Sequence, residues 1–355
     1  MRKTTKIQSR PDDPSPADWG RLYDAADAFR QLAPWEWTDD DRAFGVQCPE
    51  TGETYYCVVL GALREVFALA AYEGAEGLDG YLKCLSGEAG ENALAPEYQR
   101  ALMASFENRT DIEHRDRTVI EILGRKYQGP KAWPLFRHFL PGYLPWFLSA
   151  VQARTLAACL EQAVSVLPRL ARDPGLLPDP AAGLFLVRVP QTDAAGNLKW
   201  HDEMLPAPRP PHKAQPQIPV DEVGIERLRH QSKRRAGDWE IGYAYTPMPI
   251  QENPDQRPYL LRLLGVADAE SGYVFTVHLE MPDRCLPVFR DKLLSCLGEA
   301  PHWPERLLVN HDDAAALAAP IAKALGIPLK RVEELPAFET AYESLIEAMK
   351  TRKKR

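Results

Sequence analysis

Several groups of residues have types and spacings that could do chemistry. Asp268 and Glu270 stand two apart in Asp268-Ala269-Glu270-Ser271-Gly272. Two close carboxylates could share a divalent ion or act as acid and base, but acids in a glycine-closed turn also serve as turn formers. His311, Asp312 and Asp313 follow the apolar run Arg306 to Val309, at the carboxyl end of an expected strand. Open α/β sheets take their ligands at such ends. The aspartates fit equally well as caps of the helix that follows. Glu333 and Glu334 precede Pro336 on a segment expected to be exposed. Arg227, Arg229, Lys233, Arg234 and Arg235 form a basic patch. It could meet phosphates, with an affinity that falls steeply as salt rises, or it could be a solvated helix face. Trp133 and Trp146 bound an aromatic stretch that includes Arg137 and His138. Such rings could stack on nucleic-acid bases or close a core.

The elements that must position these residues follow from periodicity. Ala17 to Leu32 has apolar residues at helical spacing, with Ser15 or Asp18 as caps. Ala43 to Cys48, Thr54 to Gly61 and Glu65 to Tyr72 are strand-like and predict an antiparallel meander, with Pro49-Glu50-Thr51-Gly52-Glu53 joining the first two. Helices are expected over Gly80 to Leu85, Pro96 to Asn108 and Ser149 to Leu170. The prolines of Lys131 to Leu148 forbid one continuous helix there and predict a packed loop. A hairpin is expected from Leu184 to Val189 and Asn197 to Leu205. The prolines of 206–219 then predict a semi-rigid linker.

Beyond the linker, Trp239 to Tyr245, Tyr259 to Ala267 and Tyr273 to Glu280 read as strands. Asp283 to Leu297 reads as a helix, Arg306 to Val309 as a strand, and Asp312 to Leu325 as a helix kinked at Pro320 and closed by Gly326. Ile327 to Val332 and Phe338 to Met349 complete the series as strand and helix. Crossover helices between strands require parallel pairing, so this sheet should be mixed.

Composition narrows the function classes. Charged residues at 26% and hydrophobic ones at 45% exclude a disordered or fibrous chain. A net charge of -7 disfavours indiscriminate attraction to nucleic acid. No apolar run is long enough to cross a membrane and no signal core follows the basic opening, so the expectation is a cytoplasmic protein. Cys48, Cys57, Cys84, Cys159, Cys285 and Cys296 lack zinc-knuckle spacing and read as reduced, structural thiols. Phosphate-loop, dinucleotide, zinc-protease and nucleophile-elbow motifs are absent. Neither cofactor nor metal is expected.

Three stretches carry a resemblance: Trp239-Glu240-Ile241-Gly242-Tyr243, Gly265 to Phe275, and Leu307-Leu308-Val309-Asn310-His311-Asp312-Asp313. Residues 238–350 resemble a ribonuclease-H-like core of the transposase and integrase kind. That resemblance implies an aspartate on the first strand, another at the end of the fourth, an acid from the last helix, and two metal ions between them. Gly242 and His311 stand at the first two places. The chain as a whole resembles an uncharacterised bacterial two-domain family, through Pro34-Trp35-Glu36-Trp37, Phe44-Gly45-Val46, Pro49 to Glu53, Lys131 to Trp146 and Arg306 to Pro336.

The resulting expectation is an α+β domain over 1–205, a linker and basic helix over 206–236, and a ribonuclease-H-like α/β domain with a mixed sheet over 237–355. Its expected role is non-catalytic binding or assembly, with no partner identified. One alternative is a metal-dependent nuclease using Asp268, Asp312 and Glu333 or Glu334. Another is a nucleic-acid-binding module using the basic patch with Trp133 and Trp146.

Overall fold

The computed structural model describes residues 12–87, 99–208, 222–231 and 233–353. By contacts the chain divides into two compact units, Met1–Pro141 with Pro145–Pro211, and Gly142–Leu144 with His212–Arg355. Both are mixed α/β structures. No described helix is long and apolar enough to cross a membrane.

The first unit opens with α1 (Pro16–Leu32), which starts at Ser15 because a capping box satisfies its free N–H groups. Ser15 Oγ accepts from the Asp18 N–H at 3.1 Å, and Asp18 Oδ2 accepts from the Ser15 N–H at 2.9 Å. The chain continues through β1 (Ala43–Gln47), β2 (Thr54–Leu60), β3 (Ala68–Glu73), α2 (Gly74–Leu85), β4 (Ala101–Glu107), α3 (His114–Ile122) and β5 (Trp133–Phe139). Then come α4 (Ala150–Leu170), β6 (Leu184–Thr192) and β7 (Leu198–Pro206). The sheet order is β5-β4-β3-β2-β1-β6-β7, antiparallel except for the parallel β1 and β6 pair. One face packs α1 and α4 through Leu22, Phe29, Leu156 and Leu160, while the other packs α2 through Leu78 and Tyr81.

Two elements differ from expectation. Ala101–Glu107, expected inside a helix, is strand β4. Its Ala and Leu residues are buried on both faces between β3 and β5, so no two-residue alternation marks them. Trp133–Phe139, expected as a loop, is strand β5. It lies at the sheet's edge, where Pro134 removes no ladder bond that the sheet requires.

The second unit contains α5 (Glu222–Gln231), β8 (Asp238–Ile250), β9 (Tyr259–Asp268), β10 (Val274–Glu280), α6 (Cys285–Glu299) and β11 (Arg306–Val309). It closes with α7 (Asp312–Leu325), β12 (Leu329–Arg331) and α8 (Pro336–Lys353). Sheet order is β10-β9-β8-β11-β12, with β8, β9 and β10 antiparallel and β8, β11 and β12 parallel. Alternation along β8 sends Trp239, Ile241 and Tyr243 to a core shared with α5, α6 and α7. Leu263 of β9 meets Phe338 of α8 on the opposite face.

The expected linker falls largely on residues 209–221, outside the described ones. The basic helix is not a solvated appendage to it: Ile225 and Leu228 of α5 are buried in the second unit's core. The cap of α7 also differs from expectation. It is His311, whose Nδ1 accepts from the Asp313 N–H at 3.1 Å, and neither aspartate.

Candidate functional site

Polar groups gather in the second unit where β11 finishes beside the middle of β8 and α6 and α7 begin. Strand register brings His311 beside Tyr243, their rings 5.3 Å apart. The Tyr243 ring packs edge-on to Phe289, and its hydroxyl lies 3.0 Å from Cys285 Sγ. That thiol donates to the Pro282 carbonyl at 3.0 Å, leaving its sulfur to accept from the tyrosine. Burial pushes both the Cys285 thiol and the Tyr243 hydroxyl above their ordinary ranges. Neither group is an activated nucleophile.

Arg262 enters the same cluster from β9 and is only 7% exposed. Its guanidinium carbon lies 3.6 Å from the Tyr245 ring centre and 4.5 Å from that of Tyr243, and it pairs with Asp313 Oδ2 at 3.4 Å. A planar, always-charged group suits this stacked position as lysine would not. His311 accepts at Nδ1, so a neutral ring carries its proton on Nε2. Asp312 forms an ion pair with Arg331, and the exposed Glu333 follows just past β12.

Asp268 lies elsewhere. It is paired with Trp239, four residues back along β8 from Tyr243, or about 13 Å at strand rise. Its Oδ1 accepts from the Ser271 N–H at 2.8 Å, the Ser271 hydroxyl at 2.7 Å and the Glu270 N–H at 3.2 Å. Burial works against its charge, yet those hydrogen bonds hold it below its ordinary value. Asp268 therefore acts as a turn former. Among the described residues, no three His, Cys, Asp or Glu side chains are arranged to hold a metal ion.

The other face of β8 holds a carboxylate that the sequence reading passed over. Glu240 is 3% exposed, and its Oε2 accepts from the Phe338 N–H at 2.8 Å, so it caps the start of α8. Burial raises it above its ordinary value, against the hydrogen bonds from Phe338 and Ala337. An acid in phase with Gly242 and Ala244 inside an alternating strand was the available signal. Two residues on, Gly242 faces Gly265 across the β8 and β9 ladder. A Cβ on Gly242 would stand 2.0 Å from Phe338 Cγ, and one on Gly265 would stand 2.7 Å from the same ring. The paired glycines form a slot that the Phe338 ring fills. Beside it, between α8 and β9, an apolar cavity of about 10 Å³ remains. Such a space holds roughly one water and no metabolite.

The basic patch is mostly tied down. Lys233 Nζ donates to the carbonyls of Leu297 at 3.1 Å and Ala300 at 2.6 Å, and also to Gly298, at the end of α6. Arg229 Nε donates to Ala324 O at 3.1 Å, and Arg235 Nη2 to Leu325 O at 3.0 Å, at the end of α7. Positive charge at a helix carboxyl end offsets the helix dipole. Arg227 and Arg234 are exposed. In the first unit, Trp133 starts β5 while Trp146 bridges to His138 near its finish. Five residues of strand, about 17 Å, separate the two places, so the two indoles do not make one stacking platform.

Residues 19–188 match a family model described as a domain of unknown function (DUF7309), and residues 224–346 match another so described (DUF6930). The two matches together support an uncharacterised two-domain family. No curated protein and no solved structure matches the chain.

Proposed function

We propose that the second unit is a ribonuclease-H-like domain in which packing has replaced the metal site, and that the protein works by binding or assembly without catalysis. The sheet order β10-β9-β8-β11-β12 supports the first part, with three antiparallel strands followed by two parallel ones reached through crossover helices. The observation that carries the second part is the Phe338 ring in the slot at Gly242, where the resemblance wants the first carboxylate. An aspartate there would clash with α8. The nearest buried acid on that face, Glu240, is engaged at the start of the same helix.

A nuclease reading needs Asp268, Asp312 and Glu333 or Glu334 at one place, and the sheet register spaces Asp268 well away from Asp312. The test uses the full-length protein with end-labelled single- and double-stranded DNA and RNA in magnesium or manganese. No cleavage above the buffer control is expected. Cleavage that disappears in Asp312→Ala would overturn the proposal.

A further inference from the structure

Among the described residues, strand β10 forms one outer edge of the second sheet, and edges left open invite pairing with another chain. Other outer strands carry recognised protection. Strand β5 contains Pro134, β7 carries Lys199, Asp202 and Glu203, and β12 is a three-residue strand bearing Lys330 and Arg331. By contrast, β10 (Val-Phe-Thr-Val-His-Leu-Glu) has no proline, lysine or arginine, and its Val277 is 41% exposed. A bulge lies between Val274 and Thr276, leaving Thr276–Glu280 regular. Along that stretch Val277 and Leu279 pair with Gly265 and Leu263, so both face α8. The small apolar cavity beside Phe338 is lined by Val277 together with Ala341 and Leu345.

We propose that β10 is a homodimer edge, pairing antiparallel with β10 of a second copy about a two-fold axis at His278. Self-complementarity of the regular stretch identifies the occupant. In this register Val277 of each copy faces Leu279 of the other on the α8 side, extending the apolar surface over the cavity. On the opposite side His278 faces its own copy at the axis and Thr276 faces Glu280, so the only acid of the strand meets a hydroxyl and lies near a histidine. The two-fold axis stands perpendicular to the sheet, keeps each face on its own side, and yields one continuous ten-stranded sheet from two five-stranded ones. The proposal is independent of the ribonuclease-H-like reading, because it uses only the edge and its side chains.

Sedimentation velocity of the full-length protein at micromolar concentration should give twice the chain mass of 39.9 kDa. Val277→Lys, at a half-exposed site that tolerates a long side chain, should give the single-chain mass with an unchanged circular dichroism spectrum. His278→Cys provides an independent readout. Residues facing each other across an antiparallel pair have Cα atoms about 4.5 or 5.5 Å apart, within reach of a disulfide. Oxidised glutathione should therefore join two His278→Cys chains and leave the wild type, with its native thiols, unjoined. A monomeric wild type would overturn the proposal. So would a dimer that survives Val277→Lys while His278→Cys fails to cross-link.

Discussion

Phe338 takes the space that a side chain at Gly242 would need: a Cβ there would lie 2.0 Å from the ring's Cγ. The relationship makes one glycine and one aromatic residue a single packing unit, and it bears directly on stability.

Gly242→Asp should destabilise the second unit by at least about 3 kcal/mol, the upper range for overpacking, with a buried carboxylate adding to the cost. Gly242→Asp combined with Phe338→Ala should lose clearly less than the sum of the two single changes, because the second removes the clash created by the first. Urea unfolding of the four proteins measures the difference. Strict additivity would show that the slot does not constrain position 242.

Glu240 gives a pH dependence with a definite sign. Burial raises its value in the folded state, so folding is favoured more when the group is protonated. Its contribution is full below the ordinary 4.5 and is lost as pH rises through the raised value. Glu240→Gln keeps an acceptor for the Phe338 N–H and removes the titration. Plotted against pH, the stability of wild type minus that of Glu240→Gln should slope downward above 4.5. A flat difference would mean that the carboxylate is not desolvated.

Lys233→Ala should cost about 1 to 2 kcal/mol by freeing the carbonyls at the end of α6, whereas Arg227→Ala on the exposed side of α5 should stay within about 0.5 kcal/mol. Thermal unfolding of both variants checks the contrast. Equal effects would remove the capping role assigned to Lys233.

Arg262→Ala strips Asp313 of a nearly buried partner and should cost about 3 kcal/mol. Removing both charges in Arg262→Ala with Asp313→Ala should cost less than the single change. If the double variant is the less stable of the two, Asp313 stabilises the fold through partners other than Arg262.

Legibility in the sequence followed residue type more than burial. Both β8 and β4 are covered on both faces, yet Trp239 to Tyr245 alternates large apolar residues with small or polar ones and can be read, whereas the Ala, Leu and Phe of β4 carry no period that separates strand from helix. Prolines misled at β5 because the objection to proline applies within a sheet and not at its edge. At the candidate site, the turn role of Asp268 was readable from Ser271 and Gly272 nearby. For Glu240 the alternation showed only that it shares a face with Gly242 and Ala244, since its partner Phe338 lies 98 residues away. The same distance hid the meaning of Gly242, which reads as a missing ligand until the ring that occupies its place is known.

That separation has a consequence for synthesis. The glycine slot is made long before its cover, since Phe338 is added 98 residues after Glu240. A nascent chain that has formed β8 and β9 but not yet released α8 from the ribosome presents a bare greasy furrow with a carboxylate at its rim. Chaperones that bind exposed apolar surface should engage the protein most strongly in that interval.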